Sequence, residues 1–325
     1  MRCDNRYRCE NCKKSKSCND PAKNYIPDKL RSEMRRTTKK LMLGKYGFLV
    51  AILLLIIGAV LYLYMNQKTP IAADAEAEFH FIDVGQGDAA MIITDEAVVV
   101  VDCGPVVSSD VLTEYIRRYT DKIDCLVISH PHEDHMGGAS ALIEEFEIGE
   151  IIMEGYDEFE DDAPAFYERA YDAMEERELY PVLAVPGESH TYGDITIEIF
   201  APIRDYDDPN NNSIIMRVES DGASAVFTGD AETPAEQDVL KDYYSDLEAN
   251  ILKVGHHGSS TSTSEEFYLA VSPDIAVISC AADNTYGHPH RETRTLFEKY
   301  SQEYYRTDKE GSVVLVCRDG KVVKK

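Results

Sequence analysis

Hydrophobic patterning divides the 325-residue chain into unlike parts. Tyr46–Met65 reads YGFLVAILLLIIGAVLYLYM, a charge-free apolar run. A helix of that length rises roughly 30 Å, the thickness of a hydrocarbon core. From residue 78 onward the pattern changes to short β-rich runs alternating with helical periodicity. The runs predict strands at 78–84, 89–101, 124–128, 150–153, 195–200, 213–219, 223–228, 251–254, 275–279 and 312–317. Helices are predicted at 108–119, 137–146, 163–178, 232–243, 264–271 and 290–300. This alternation over 78–325 is long enough for one large layered α/β domain. Between the two regimes, 66–77 (NQKTPIAADAEA) is small and polar and reads as a linker.

Charge sharpens the division. The whole chain carries a formal net charge of −26, with 44% hydrophobic and 28% charged residues, which excludes a disordered or fibrous chain. Only one run is long enough to span a bilayer, so a polytopic membrane protein is excluded as well. Residues 1–45 hold 14 Lys+Arg and 5 Asp+Glu, whereas the remainder holds 19 and 54. The basic side chains crowd the N-terminal flank of the apolar run (Arg31, Arg35, Arg36, Lys39, Lys40, Lys45). The positive-inside rule therefore predicts a cytoplasmic head 1–45, a single transmembrane helix 46–65 and an extracytoplasmic domain at the cell membrane. A cleaved signal peptide is the rival reading, but its basic region would be too long and its apolar run exceeds the usual length. A net −35 beyond the head argues against gripping nucleic acid through a basic surface.

Cys3, Cys9, Cys12 and Cys18 stand in a C-x5-C-x2-C-x5-C array within the head. Four thiols in a reducing compartment suit a structural zinc site, although only Cys9/Cys12 have the spacing of a zinc ribbon; a basic tail with free thiols is the alternative. The other cysteines (Cys103, Cys125, Cys280, Cys317) fall on strand-like runs. They permit disulfides without selecting any, and buried free thiols are the alternative.

Seven of the nine histidines lie in three clusters. The first, Ser129-His130-Pro131-His132-Glu133-Asp134-His135-Met136-Gly137-Gly138, follows an apolar strand. His130 and His132, two apart on extended chain, point the same way and can share one ion. Asp134 and His135 follow as the chain turns towards a helix and can face a second, and Gly137 and Gly138 allow close backbone approach. The other clusters are Gly255-His256-His257-Gly258-Ser259 and Tyr286-Gly287-His288-Pro289-His290.

The H-x-H-x-D-H pattern resembles the metallo-β-lactamase superfamily. Val98–Gly104 (VVVVDCG), Phe227-Thr228-Gly229-Asp230 and Lys253–Ser260 resemble its further motifs in order. Phe81–Ala89 (FIDVGQGDA), the KVGHHGSS segment and YGHPH resemble one branch in particular, the extracytoplasmic hydrolase domain of ComEC-type competence DNA-internalisation proteins in stand-alone form. The resemblance covers about residues 78–320 and implies a four-layer αββα sandwich over 78–325. It lacks the oligonucleotide-binding and channel domains of that branch.

The resemblance further implies two divalent ions, Zn or Mn. His130, His132 and Asp230, with Asn211 as a weak ligand, would hold the first; Asp134, His135, His256 and Asp230 the second. Asp102 would brace the loop. Asn210, Asn211 and Ser213 occupy the place of the superfamily's third histidine, and His257 and Ser259 would lie behind the ligands or face substrate. His190 is read as a surface-turn histidine and His80 as packing at the first strand. Asp134 would orient a hydroxide, and His288 or His290 would touch a phosphate oxygen or protonate the leaving group. Ser259 to Ser262 could bind a phosphate, with a helix N-cap before Glu265 as the alternative for Ser262. Lys253, Arg291 and Arg294 could make the cleft locally positive. The implied reaction is hydrolysis of a phosphodiester in DNA, with DNA-uptake machinery as a partner. A small-molecule ester, phosphodiester or lactam hydrolase is the alternative, and a non-catalytic tethered binding protein is the third.

Overall fold

The computed structural model describes residues 28–43, 47–65, 67–73, 75–155, 163–220, 222–318 and 320–325. It divides the chain into two compact units, Met1–Gln67 and Lys68–Lys325. The first contains α1 (Asp28–Leu43), a helix in the basic head where none was predicted, and α2 (Gly47–Met65), which coincides with the expected anchor. The described side chains of α2 cover only 49–62, and Leu53, Leu54 and Leu55 among them are exposed. Among the described residues no helix is long and apolar enough to cross a membrane. Cys3, Cys9, Cys12 and Cys18 lie outside the described residues.

The second unit is built from two consecutive β/α halves. The first half runs β1 (Ala77–Phe81), β2 (Ala90–Ile93), β3 (Val98–Val101), α3 (Ser109–Arg117), β4 (Lys122–Ile128), α4 (Glu133–Met136), α5 (Ala139–Glu145), β5 (Glu147–Met153), α6 (Ala165–Glu176) and β6 (Val182–Leu183). The second continues with β7 (Ser189–Tyr192), β8 (Ile195–Ile199), β9 (Met216–Ser220), β10 (Ala223–Phe227), α7 (Thr233–Tyr243), β11 (Ile251–Lys253), α8 (Glu265–Val271), β12 (Ile275–Ile278), α9 (Arg291–Tyr300) and β13 (Glu303–Arg306). The chain then returns through α10 (Thr307–Glu310), β14 (Val313–Arg318) and β15 (Lys321–Lys324).

One sheet has the order β15-β14-β1-β2-β3-β4-β5-β6 and the other β13-β12-β11-β10-β9-β8-β7. Strand periodicity explains how each sheet feeds two cores. Val99 and Val101, Cys125 and Val127 point between the sheets, where they meet Ile197, Met216, Val218, Phe227 and Val277. Val98 and Val100, Leu126 and Ile128 point outward into a core with α3, α5 and α6. Val226, Leu252 and Ile278 do the same against α7, α8 and α9. Buried on both faces, these strands are continuous apolar runs, and the layers stack helix–sheet–sheet–helix as the resemblance implies.

Three expectations need correction. The single strand 89–101 is a hairpin, because Thr94 Oγ1 accepts from the amides of Glu96 and Ala97 and closes a turn. The described part of the expected linker 66–77 is docked on the domain. Thr69 N donates to Arg118 O, Ala72 N donates to Glu78 Oε1 at 2.8 Å, and Ile71 packs on the outer core. His190 sits on the short strand β7, half-buried near Glu150 and Glu188, instead of on a turn. Cys103, Cys125, Cys280 and Cys317 are buried thiols outside any disulfide.

Candidate metal centre

The centre is assembled where β3 and β4 end. Asp102 follows β3 with φ 59°, a left-handed conformation that costs a non-glycine residue energy. Its carboxylate accepts from Ser129 N at 2.7 Å, Ser129 Oγ at 2.9 Å and His135 Nδ1 at 2.9 Å. It braces the loop, as the resemblance implies. His132 caps α4 at its N-terminus, so Asp134 and His135 lie on the first turn. His135 O accepts from Cys103 N, and Gly104 O accepts from Gly138 N. Gly138 has to be glycine, since a Cβ there would strike the Cys103 carbonyl oxygen.

The donors converge. His130 Nε2 lies 3.0 Å from His132 Nδ1, His135 Nε2 3.2 Å from Asp230 Oδ1, and His257 Nε2 3.2 Å from Asp134 Oδ2. Asp134, His135, Asp230 and His257 each offer an atom within 4.8 Å of the others. With metal–ligand bonds of about 2.0–2.2 Å, two ligands of one tetrahedral ion stand roughly 3.3 Å apart, so these separations suit shared cations. His135 Nε2 and Asp230 Oδ1 are buried and face each other as an ion pair without good hydrogen-bond geometry, an arrangement in which a cation could bind both. The nitrogens facing away are secured. His135 Nδ1 donates to Asp102, and His257 Nδ1 donates to Ser279 O at 3.1 Å with Asp88 Oδ1 at 3.2 Å. That fixes both rings with Nε2 facing the centre. The residues therefore fit divalent ions.

Electrostatics agree. Burial opposes charge on His257, but Asp230 and Asp88 prevail and raise its pKa to about 10. Against the same burial, Asp230 and Asp102 hold His135 well above the ordinary histidine range. The Asp230 and Asp134 carboxyls, despite burial, are driven far down by these rings. Burial and the charge on His135 keep His130 neutral. Protons thus stand on rings that an incoming cation would have to deprotonate.

Several sequence assignments change. His257, buried and at φ 54°, takes the place expected for His256. His256 is half-exposed at the rim, with Nε2 3.5 Å from Asp230 and Nδ1 3.4 Å from Glu232. Two successive left-handed residues invert the expected order, a backbone feature that no periodicity announces. Asn211 Oδ1 is engaged elsewhere than among the converging donors: it accepts from Glu232 N and Ala235 N and serves the start of α7. Asn210 Oδ1 is buried without a partner, and Ser213 Oγ accepts from Asp230 N. Ser259 is buried and bonded to Thr261, while Ser262 Oγ donates to Ala231 O and Ser264 is the cap of α8. His290 is a loop brace: Nδ1 accepts from Ser260 N and Nε2 donates to Tyr286 O. His288 faces the centre, its ring 6.2 Å from that of His257 and 5.6 Å from that of His256.

Lys253 is not a cleft cation. It is 3% exposed and pairs with Asp88 at 2.6 Å, also donating to Val254 O. Sequence reading overlooked Asp88, although the FIDVGQGDA run was its signal. Asp88 N donates to Asp134 O, Asp88 O accepts from Gly104 N, and Gln86 Oε1 accepts from Ala281 N. The loop ties the metal-binding turn to the second sheet.

Comparison with known proteins agrees with this reading. The Metallo-beta-lactamase superfamily profile matches residues 82–282. Among curated relatives, ComE operon protein 3 of Bacillus subtilis is 28% identical over 262 residues, 74% of this chain and 33% of that protein. Competence protein ComA of Neisseria gonorrhoeae is 29% identical over 253 residues, 77% and 34% respectively. The chain thus spans about a third of the length of these relatives. Among solved structures, CmlA, a diiron beta-hydroxylase from Streptomyces venezuelae, superimposes with TM-score 0.52 at 12% identity, covering 75% of this chain and 54% of that one, a likeness of fold alone. With two sheets, outer helices and an H-x-H-x-D-H turn in place, this chain belongs to the metallo-beta-lactamase superfamily.

Proposed function

We propose that the protein is a metal-dependent phosphodiesterase acting on DNA, anchored in the cell membrane by α2 with its basic head in the cytoplasm. The observation that carries hydrolysis is the convergence of nitrogen and carboxylate donors from Asp134, His135 and His257 around the buried Asp230. DNA as the substrate and a place beside DNA-uptake machinery are supported by similarity to the competence proteins. The anchor is supported by the charge-free run and the basic flank.

Two divalent ions, Zn or Mn, would supply an activated water and stabilise charge on the attacked phosphoryl oxygen. His130 and His132 would hold one ion and Asp134, His135 and His257 the other, and Asp230 would add its carboxylate to the set. Asp134 also fixes the direction of attack. Burial, then the charges of His257 and His256, lower the His288 pKa to about 4, and its Nδ1 has no partner. His288 is therefore neutral near pH 7 and suited to a hydrogen bond with a substrate oxygen, in place of the proton donation read from sequence.

A small diester is the second reading, favoured by the acidic surface. The test uses full-length protein and its Asp134→Ala variant with end-labelled DNA and a chromogenic diester, in Mn²⁺ or Zn²⁺. DNA cleavage that the variant loses is the expected result. Turnover of the small diester alone would replace DNA with a small substrate.

A further inference from the structure

The segment between β12 and α9 is unusually well braced for a loop. Asn284 Nδ2 donates to Ala281 O at 2.7 Å and His288 O at 2.8 Å, while its Oδ1 accepts from His288 N. His290 closes the segment on itself through Tyr286 O and ties it to the turn before α8, where its Nδ1 accepts from Ser260 N and its own amide donates to Gly258 O. On this support stands Tyr286, whose side chain is 66% exposed.

The Tyr286 ring is not splayed at random. It stacks on His288 with centroids 5.6 Å apart and planes 21° apart, and His288 lies at 6.2 Å and 30° from the metal-facing His257. Three nearly parallel rings lead from the centre to solvent, and the outermost keeps an open apolar face. We propose that this face is a stacking platform for an unpaired nucleobase of the strand being cut. The inference rests on the phosphodiesterase reading and deepens it.

Stacking is the form of nucleic-acid recognition that an acidic surface permits. Every base offers a π-face, so no basic track or sequence readout is needed. The exposed side chains near the loop are of both signs, Asp283 and Glu292 against Arg291 and Arg294, so charge gives no net basic track, whereas a base's π-face is read without one. The platform lies no more than two ring separations from His257, a distance that a nucleotide flanking the scissile phosphate can span. Bases of a duplex are already stacked on one another, so the platform selects single-stranded ends or segments.

The experiment compares wild type, Tyr286→Phe and Tyr286→Ala as full-length proteins on single-stranded oligonucleotides and on a chromogenic diester. Losing one base–aromatic stack should raise KM on oligonucleotides roughly 5- to 150-fold in Tyr286→Ala. Tyr286→Phe should stay near wild type, and KM for the small diester should be unchanged in both. In the inactive Asp134→Ala background, a 2-aminopurine oligonucleotide should be quenched on binding, and the quench should vanish with Tyr286→Ala. An unchanged oligonucleotide KM with DNA still cut would overturn the platform while leaving the phosphodiesterase reading intact. An equal KM rise on the small diester would also overturn it, by showing a general loop defect. Wild-type protein inert on DNA would instead overturn the reading beneath it.

Discussion

His256 and His257 differ by one position and have different roles. Both adopt left-handed backbone, and the pair turns so that His257 enters the buried cluster while His256 remains at the rim. We expect His257→Ala to lose one ion outright and His256→Ala to weaken binding by about 10- to 100-fold while both ions still bind, as measured by calorimetric titration. Lys253 and Asp88 set a second contrast. Their pair is enclosed, so Lys253→Met leaves the buried Asp88 carboxylate with His257 as its remaining counter-charge and should cost about 3 kcal/mol in urea unfolding. The Lys253→Met/Asp88→Asn double variant should recover a large part of that loss, and full additivity of the two single changes would contradict the pairing. Ligand type was legible at this scale, since the H-x-H-x-D-H turn declares itself by residue chemistry. Which of two adjacent histidines points inward was not, because positive φ at a non-glycine residue leaves no mark in composition or period.

The elements that the pattern fixed best are those buried on both faces. β3 and β12 are continuous apolar runs and β4 and β5 end in one (Leu126–Ile128, Ile151–Met153), and sequence located each of them, β3 within a run drawn as a single strand with β2. β6, β7, β13 and β15 escaped, being short edge strands with mixed exposure; Val182–Leu183 and Lys321–Lys324 offer no period to read. Asn211 shows how an element can claim a residue that a motif assigns elsewhere. Its carboxamide oxygen accepts from two amides at the first turn of α7, where the helix has no cap hydrogen bond of its own. Asn211→Ala should therefore cost about 1 kcal/mol of stability, in the manner of a lost cap, while two ions still bind. A drop in metal stoichiometry with unchanged stability would restore it to the ligand set.

Across the second unit, two sheets meet with the candidate metal donors gathered at one end, the turn after β4 supplying His130 to His135 and the loops of the second sheet supplying Asp230 and His257. Away from that end, Glu78 joins the chain's approach to its last residue: its carboxylate accepts from Ala72 N, pairs with Lys325 Nζ at 2.8 Å and faces His80 Nε2 at 3.0 Å. Burial would raise its pKa, but the bonds to His80, Lys325 and Ala72 lower it from 4.5 to about 2. A depressed acid stabilises the fold fully above its unfolded pKa and loses that contribution as pH falls through the folded one. Thermal stability should therefore decline between pH 4.5 and about 2, and Glu78→Gln, less stable at neutral pH, should flatten that part of the decline. An acid limb that the variant leaves unaltered would assign it to other carboxylates.

The central claim is that these donors form one two-ion centre organised around Asp230. Titrating metal-free full-length protein with Mn²⁺ or Zn²⁺, beside Asp230→Ala, tests it most directly. The account predicts two ions per chain in the wild type and a loss of affinity for both in the variant. Two ions bound with equal affinity by both proteins would contradict it.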